Sequence, residues 1–359
     1  MTMEPTRRQF LHTAAAATLG ATLAPGAVAA QARTHALGLD NFSVRAMGWK
    51  APQLVDYAAS LGCDSLFITD FDALESHEPA YLARVRQQAE AKRLKLQLGT
   101  WSIDPTSKAF RPNWGTAEEH LALGIRMADA LGSPVLRVVL GTFEDRLTDG
   151  GIEPHIESVV KVCRSQRTAA VDAGVKIAVE NHAGDMHSTE LAQLVETAGR
   201  DFVGVNLDSG NALWTLEDPI DNLRTLAPYV VTTSLRDSAV WETPRGAAVA
   251  WTAMGEGQID LKAYFEEFRT LCPGVPVHIE TISGFNREFR YLTGEFWKAW
   301  PTLPAAGFAR FVALAKRGTP RATFAPAAGV DRKLAEQAYQ RGEIERSLKY
   351  CRETLNLGT

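Results

Sequence analysis

Apolar residues in this chain gather into short unbroken runs separated by longer amphipathic stretches, from residue 36 to about residue 281. The runs fall at 36–40, 65–69, 94–100, 135–140, 176–180, 203–208, 230–237 and 277–281. Uninterrupted apolar character predicts strands buried on both faces, as in a parallel sheet. Between the runs, residues 53–61, 81–92, 117–131, 154–173, 189–198 and 261–271 repeat apolar positions at helical spacing. Eight strands alternating with helices predict an α/β fold, a (β/α)8 TIM barrel in a single domain. A doubly wound sheet is the rival. It would place a glycine-rich phosphate turn after the first strand, where this chain has Asp40-Asn41-Phe42-Ser43.

Two connections break the even rhythm. Residues 238–257 form a long connection after the seventh run, holding Trp241, Pro244 and Trp251, and are expected to lie as a loop over the barrel mouth. Residues 102–115 follow the third run and carry Phe110 and Trp114 beside Trp101. Aromatic rings over a polar pocket suit stacking on a sugar ring, and equally suit packing of the loops themselves. After residue 318 the chain turns Pro- and Ala-rich, then charged and helical, so 33–318 is read as the barrel and 319–359 as a C-terminal segment and helix.

The start of the chain reads as an address. Thr6-Arg7-Arg8-Gln9-Phe10-Leu11 followed by a mildly apolar, small-residue stretch predicts a twin-arginine signal peptide over residues 1–32, hence an exported or periplasmic protein. Composition narrows the rest. A chain of 359 residues, 45% hydrophobic and 22% charged, can bury one large core. A formal net charge of −4 without a basic stripe argues against nucleic acid as a partner. No apolar run is long enough to span a bilayer, so no stable membrane anchor is expected. Cys63, Cys163, Cys272 and Cys351 are too far apart to form a CxxC pair and read as inert buried thiols.

Chemistry enters where the apolar runs stop. Within four of the runs the unbroken apolar part, 176–179, 203–207, 230–233 or 277–279, is followed directly by Glu180, Asp208, Ser234 or Glu280, at the carboxyl ends of strands where parallel α/β proteins bind ligands. Side chains at i and i+2 share a strand face, so His182 accompanies Glu180, Asn206 accompanies Asp208, Arg236 accompanies Ser234 and His278 accompanies Glu280. Three carboxylates converging on one pocket repel unless a divalent cation, a proton or an arginine sits among them. A metal there would polarise a carbonyl while a carboxylate shuttles a proton.

The stretches Ala178-Val179-Glu180-Asn181-His182, Asn206-Leu207-Asp208-Ser209-Gly210-Asn211, Ser234-Leu235-Arg236-Asp237, Gly255-Glu256-Gly257 and Ile279-Glu280, in this order, resemble the xylose isomerase-like TIM barrels of sugar phosphate isomerases and epimerases. The resemblance covers roughly residues 36–300. It implies a divalent metal held by Glu180, Asp208 and Glu280. Mn, Mg or Zn are the expected ions, and Glu180 and Glu280 are also the expected acid/base pair. It departs at Ser234, where the family pattern has a histidine ligand, and at Asn211, where a histidine often contacts substrate. Further expected substrate contacts are His182, Asn211, Arg236, Arg137 at the fourth strand, Glu256 and Arg287. His278 lies deeper and reads as structural.

The expected activity is isomerisation or epimerisation of a carbohydrate or polyol by proton transfer next to a carbonyl. Elimination or hydration on a keto-sugar or inosose is the second possibility, since the same enolate can expel a β-substituent. The third is a carbohydrate-binding barrel without catalysis, which the changes at Ser234 and Asn211 would suit. Association into an oligomer is open.

Overall fold

The computed structural model describes residues 35–358; the expected signal at 1–32 lies outside them. In chain order the strands are β1 (Leu37–Asp40), β2 (Ser65–Ile68), β3 (Lys95–Ser102), β4 (Val135–Val139), β5 (Lys176–Glu180), β6 (Val203–Leu207), β7 (Val230–Thr233), β8 (Asp237–Thr243), β9 (Gly246–Thr252), β10 (Val277–Ile279) and β11 (Arg287–Phe289). Eight of them form one parallel sheet in the order β10-β1-β2-β3-β4-β5-β6-β7. A parallel bridge between Leu235 and Ile279 joins its ends, with Leu235 N donating to His278 O at 2.7 Å and Glu280 N to Leu235 O at 2.9 Å. The result is a nearly closed barrel whose strands alternate with helices. It is the TIM barrel that the apolar rhythm predicts.

Helix boundaries follow local chemistry. The helix Ala117–Leu131 starts at a capping box of Thr116 and Glu119 and stops at Gly132, which takes the left-handed conformation (φ 71°). It buries Leu121, Ile125 and Ala128. At Gly124 the helix lies so close to the sheet that a Cβ would come within 2.5 Å of a Leu136 methyl. The stretch expected as one helix at 154–173 is two, Glu153–Ser165 and Arg167–Ala173, broken at Gln166.

The 238–257 connection is not a loop. It is an antiparallel hairpin, β8 against β9, extended by β11 into a three-stranded sheet. The Pro244-Arg245-Gly246 segment that reads as loop punctuation is the hairpin turn, where Gly246 has φ 155°. Asp237 pins the far end: its carboxylate accepts backbone N–H bonds from Ser238, Gly255, Gly257 and Ile259 at 2.7–3.3 Å. This small sheet has its own apolar core of Trp214, Val249, Trp251, Phe289, Trp300 and Phe311 beside the barrel's core.

The C-terminal segment folds back onto the barrel. Ile344, Leu348, Cys351, Leu355 and Leu357 bury themselves in the same core as the barrel strands. The helix Arg332–Glu353 runs along the flank of β10 and β1, with Gln337 bonded to Ala46 O at 3.0 Å and Arg352 to Leu61 O at 2.8 Å. It covers the side of the sheet that the eighth helix of a (β/α)8 barrel covers. No helix among the described residues is long and apolar enough to cross a membrane, and all four cysteines are free and buried.

One buried histidine is expected to make the fold acid-sensitive. His120 is 1% exposed and shares a 2.7 Å hydrogen bond with the Thr100 hydroxyl. Burial pushes its pKa down to about 4. Above the unfolded pKa of about 6.5 the imidazole is neutral in both states, so its stabilising effect is fully present there. As pH falls from about 6.5 toward 4 the unfolded chain takes up a proton that the folded chain refuses, and stability is lost. His120→Gln keeps a partner for Thr100 without titrating. Thermal melting measured from pH 7 to pH 4 is expected to decline less steeply in this variant, by up to about 3 kcal/mol at the acid end. Parallel curves would show that His120 does not contribute to the acid loss.

Candidate active site

At the carboxyl ends of the barrel strands lies a cavity of about 270 Å³. β4 supplies Arg137 to it, the end of β5 supplies Glu180 and His182, the β6 connection supplies Asn211, the β7 connection supplies Arg236, and the end of β10 supplies Glu280. These positions follow from the strands: each apolar run anchors its backbone in the core, and the polar side chain where the run ends has only the barrel mouth to enter. Trp101, Trp214, Trp251 and Phe285 wall the upper part. Trp214 stacks on Trp251 with ring centroids 4.5 Å apart.

The carboxylates are closely engaged with nitrogen donors. Glu180 accepts from Arg137 Nε at 2.5 Å, from Asn206 Nδ2 at 3.0 Å and from Asn211 Nδ2 at 3.3 Å. Asp208 Oδ1 accepts the backbone N–H groups of Gly210 and Asn211, at 2.8 and 3.2 Å. Its Oδ2 accepts Asn211 Nδ2 at 2.8 Å and also Arg236 Nη2. The same Arg236 nitrogen donates to Glu280 Oε2. Arg236 is 2% exposed and lies over the Trp251 ring, 4.4 Å from its centroid.

Their proton affinities diverge. Burial alone would raise the Glu180 carboxyl, but the adjacent Arg137 guanidinium and His182 outweigh it and hold Glu180 below the usual range. Burial dominates at Asp208 and lifts it to about 8 against the pull of Arg236, with Glu280 and Glu180 adding repulsion. Glu280 is likewise raised, by burial first. His182 is half-buried; burial lowers its pKa while Glu180 opposes the shift, and its Nδ1 bonds Gly141 O at 2.8 Å. Its ring meets Trp101 edge-on at 5.2 Å.

One member escaped the sequence reading. Asp40, at the end of β1, is fully buried and accepts the Ser234 hydroxyl at 2.9 Å and Phe42 N at 2.9 Å. Burial raises its carboxyl well above the ordinary value, with Glu280 adding repulsion. The signal was available, since Asp40 closes an apolar run as Glu180 and Asp208 do. Two expected contacts lie elsewhere. Glu256 faces away from the cavity, its carboxylate 2.8 Å from Arg346 of the C-terminal helix, because the Asp237 anchor turns the 255–257 segment outward. Arg287 sits in an adjoining groove above the Phe143 and Trp214 rings, at 4.8 and 5.2 Å from their centroids. His278 is buried beneath the cavity, bonded to Ser65 Oγ at 2.9 Å and to Thr233 O at 3.2 Å.

Glu180, Asp208 and Glu280 form a buried acidic triad that reaches far enough to hold a metal, since one oxygen from each lies within 4.8 Å of the others. The surrounding chemistry does not match such a site. Both Asp208 oxygens and both Glu180 oxygens already accept N–H donors. The fourth corner is Ser234, a weak ligand whose hydroxyl is donated to Asp40. A guanidinium lies between Asp208 and Glu280. As the side chains are seated, a dication does not fit.

A family model described as xylose isomerase-like TIM barrel matches residues 55–297. A protein of Escherichia coli strain K12 called YihM, uncharacterised, is 27% identical over 148 residues, which are 41% of this chain and only 44% of that relative. A 3-oxo-isoapionate decarboxylase of Pectobacterium atrosepticum is 22% identical over 218 residues, 60% of this chain and 72% of the relative. Among solved structures, a D-psicose 3-epimerase determined with D-fructose has a TM-score of 0.58 at 14% identity, covering 89% of this chain and 99% of its own. The IOLI protein, solved with a zinc atom, has a TM-score of 0.53 at 18% identity and covers 77% and 96%.

Proposed function

The chain belongs to the xylose isomerase-like TIM barrel family, and from that premise we propose that it is a sugar-modifying enzyme: an isomerase or epimerase that moves a proton next to a carbonyl. One observation carries the reading. Glu180 and Glu280 enter one cavity from strands three places apart in the barrel, and their pKa values are displaced in opposite directions. Paired carboxyls whose proton affinities are pushed apart suit the taking and the returning of a proton.

Glu180, kept ionised by Arg137, takes the proton from the carbon beside the substrate carbonyl. Glu280, whose carboxyl burial raises above the usual range, returns one, and delivery from a different side of that carbon inverts its configuration. Arg236 faces the negative charge that develops on the carbonyl oxygen, and its Nε and Nη1 have no protein acceptor. His182 and Asn211 position hydroxyl groups, while the tryptophan wall accepts the apolar face of a sugar ring. The divalent-metal assistance that the family resemblance suggests would require Arg236 to leave both its carboxylates, so no step depends on it. Export through the twin-arginine signal remains part of the proposal and rests on the sequence of residues 1–32.

Lyase chemistry on a keto-sugar is the second reading, supported by the relative named as a decarboxylase. Product analysis separates the two. Incubated with a panel of ketoses and keto-sugar acids, an epimerase is expected to yield an isomer of unchanged mass. Loss of carbon dioxide or water from the product would give the lyase reading precedence.

A further inference from the structure

The geometry points to Arg236 as the resident cation of this barrel: its guanidinium takes the place between Asp208 and Glu280 that a divalent metal would need, so the site is built to work without one. The inference concerns the cavity assigned to proton transfer above, but it does not depend on which sugar reacts there.

Four features hold Arg236 in place. Its Nη2 donates to Asp208 Oδ2 and to Glu280 Oε2, carboxylates that come from different strand ends. Its guanidinium stacks on Trp251, which gains more from a cation held there than from a neutral group. Its backbone is fixed at both ends by one hydroxyl: Ser209 Oγ donates to Arg236 O at 2.6 Å and accepts from Arg236 N at 3.2 Å. Its stem lies against Gly210, where a Cβ would come within 2.3 Å of Arg236 Cγ and 2.9 Å of Trp251 Cδ1. Any larger residue at 210 would push the arginine out. The absent side chain there is therefore the room the arginine's stem needs.

Charge completes the argument. Asp40, Glu180, Asp208 and Glu280 are four buried carboxyls around one space, with Arg137 and Arg236 among them. Each arginine neutralises a carboxylate, and the Ser234 hydroxyl satisfies Asp40. A dication brought beside Arg236 would meet a fixed positive charge at contact distance inside a low-dielectric cavity, where such repulsion is strong. Guanidinium and metal are therefore alternatives. A guanidinium also supplies what the metal supplies elsewhere, a positive group facing the developing oxyanion, and its charge is permanent.

The test is metal binding itself. Wild-type protein, purified without chelators, is expected to carry less than about 0.1 equivalent of any transition metal and to keep its melting temperature when Mn²⁺ or Zn²⁺ chloride is added, since a ligand that binds the folded state would raise it. Ser234→His alone restores a ligand but leaves Arg236 seated, and is expected to bind no better. Ser234→His combined with Arg236→Met frees the triad, and is expected to take up about one equivalent by calorimetric titration, with a raised melting temperature. One equivalent retained by the wild type would overturn the inference, as would equal binding by the single and double variants. So would a folded double variant that binds no metal. The wild-type measurement decides the matter even where the double variant fails to fold. Because every readout is metal occupancy or melting, failure here is distinguishable from failure of the proton-transfer reading, which isotope exchange tests.

Discussion

Glu280→Gln lowers turnover of the substrate by about 10²-fold or more, with little change in KM and little loss of stability. The amide has the size of the carboxyl but cannot exchange the proton that Glu280 is expected to return to the substrate carbon. Stability holds because Val277 and Ile279, the buried residues that anchor β10, are untouched, and Arg236 keeps its bond to Asp208. The equivalent change at Glu180 is less clean. It would strip Arg137 of its buried partner, so lost activity would mingle with lost stability. Steady-state rates of the purified Glu280→Gln variant at matched folded fraction check the expectation. Unchanged turnover would remove Glu280 from the proton path.

Arg146→Met is expected to cost about 3–5 kcal/mol of folding stability, the range for breaking a buried ion pair by removing one partner. Arg146 makes a fork with Glu190, Nη1 to Oε2 at 2.7 Å and Nη2 to Oε1 at 2.9 Å. Its Nε donates to Ala299 O at 2.8 Å and its Nη1 also to Asp185 O at 2.8 Å. The guanidinium lies 3.7 Å from the centroid of Trp300. One side chain thus ties the connection after β4 to the one after β5 and to the segment that follows β11. Methionine preserves the stem's packing on Trp300 but leaves the Glu190 carboxylate with only the His187 N–H and takes the side-chain donor from two backbone carbonyls. Urea unfolding of the two proteins gives the difference. A change below about 1 kcal/mol would mean that solvent replaces the fork at no great cost.

Much of this was legible in the chain because the barrel writes itself as rhythm. A strand buried on both faces shows an apolar run whatever its neighbours do, so all eight barrel strands could be placed, and the residues that close the runs at Glu180, Asp208 and Glu280 do converge. The hairpin β8–β9 was not legible. Its strands are buried on both faces, so no alternation marks them, and Pro244 and Gly246 look like loop residues until their partners are known. Asp40 was overlooked although it closes β1, because its role depends on Ser234 from the opposite side of the sequence. Glu256 was misplaced by its position between two glycines, which describes a turn and not the direction it faces. The seating of Arg236 could not be read either: spacing says that it shares a face with Ser234, but only the approach of Gly210, Trp251 and Asp208 decides where the guanidinium comes to rest.

The central claim is that buried carboxyls of this barrel exchange a proton with carbon beside a carbonyl. Solvent deuterium measures that directly. Incubated in D₂O with keto-sugars that it binds, the protein is expected to wash deuterium into the position next to the carbonyl, followed by NMR or mass, and Glu280→Gln is expected to abolish most of that exchange. A ligand that raises the melting temperature yet stays free of deuterium through prolonged incubation would contradict the account and make this barrel a carbohydrate-binding protein.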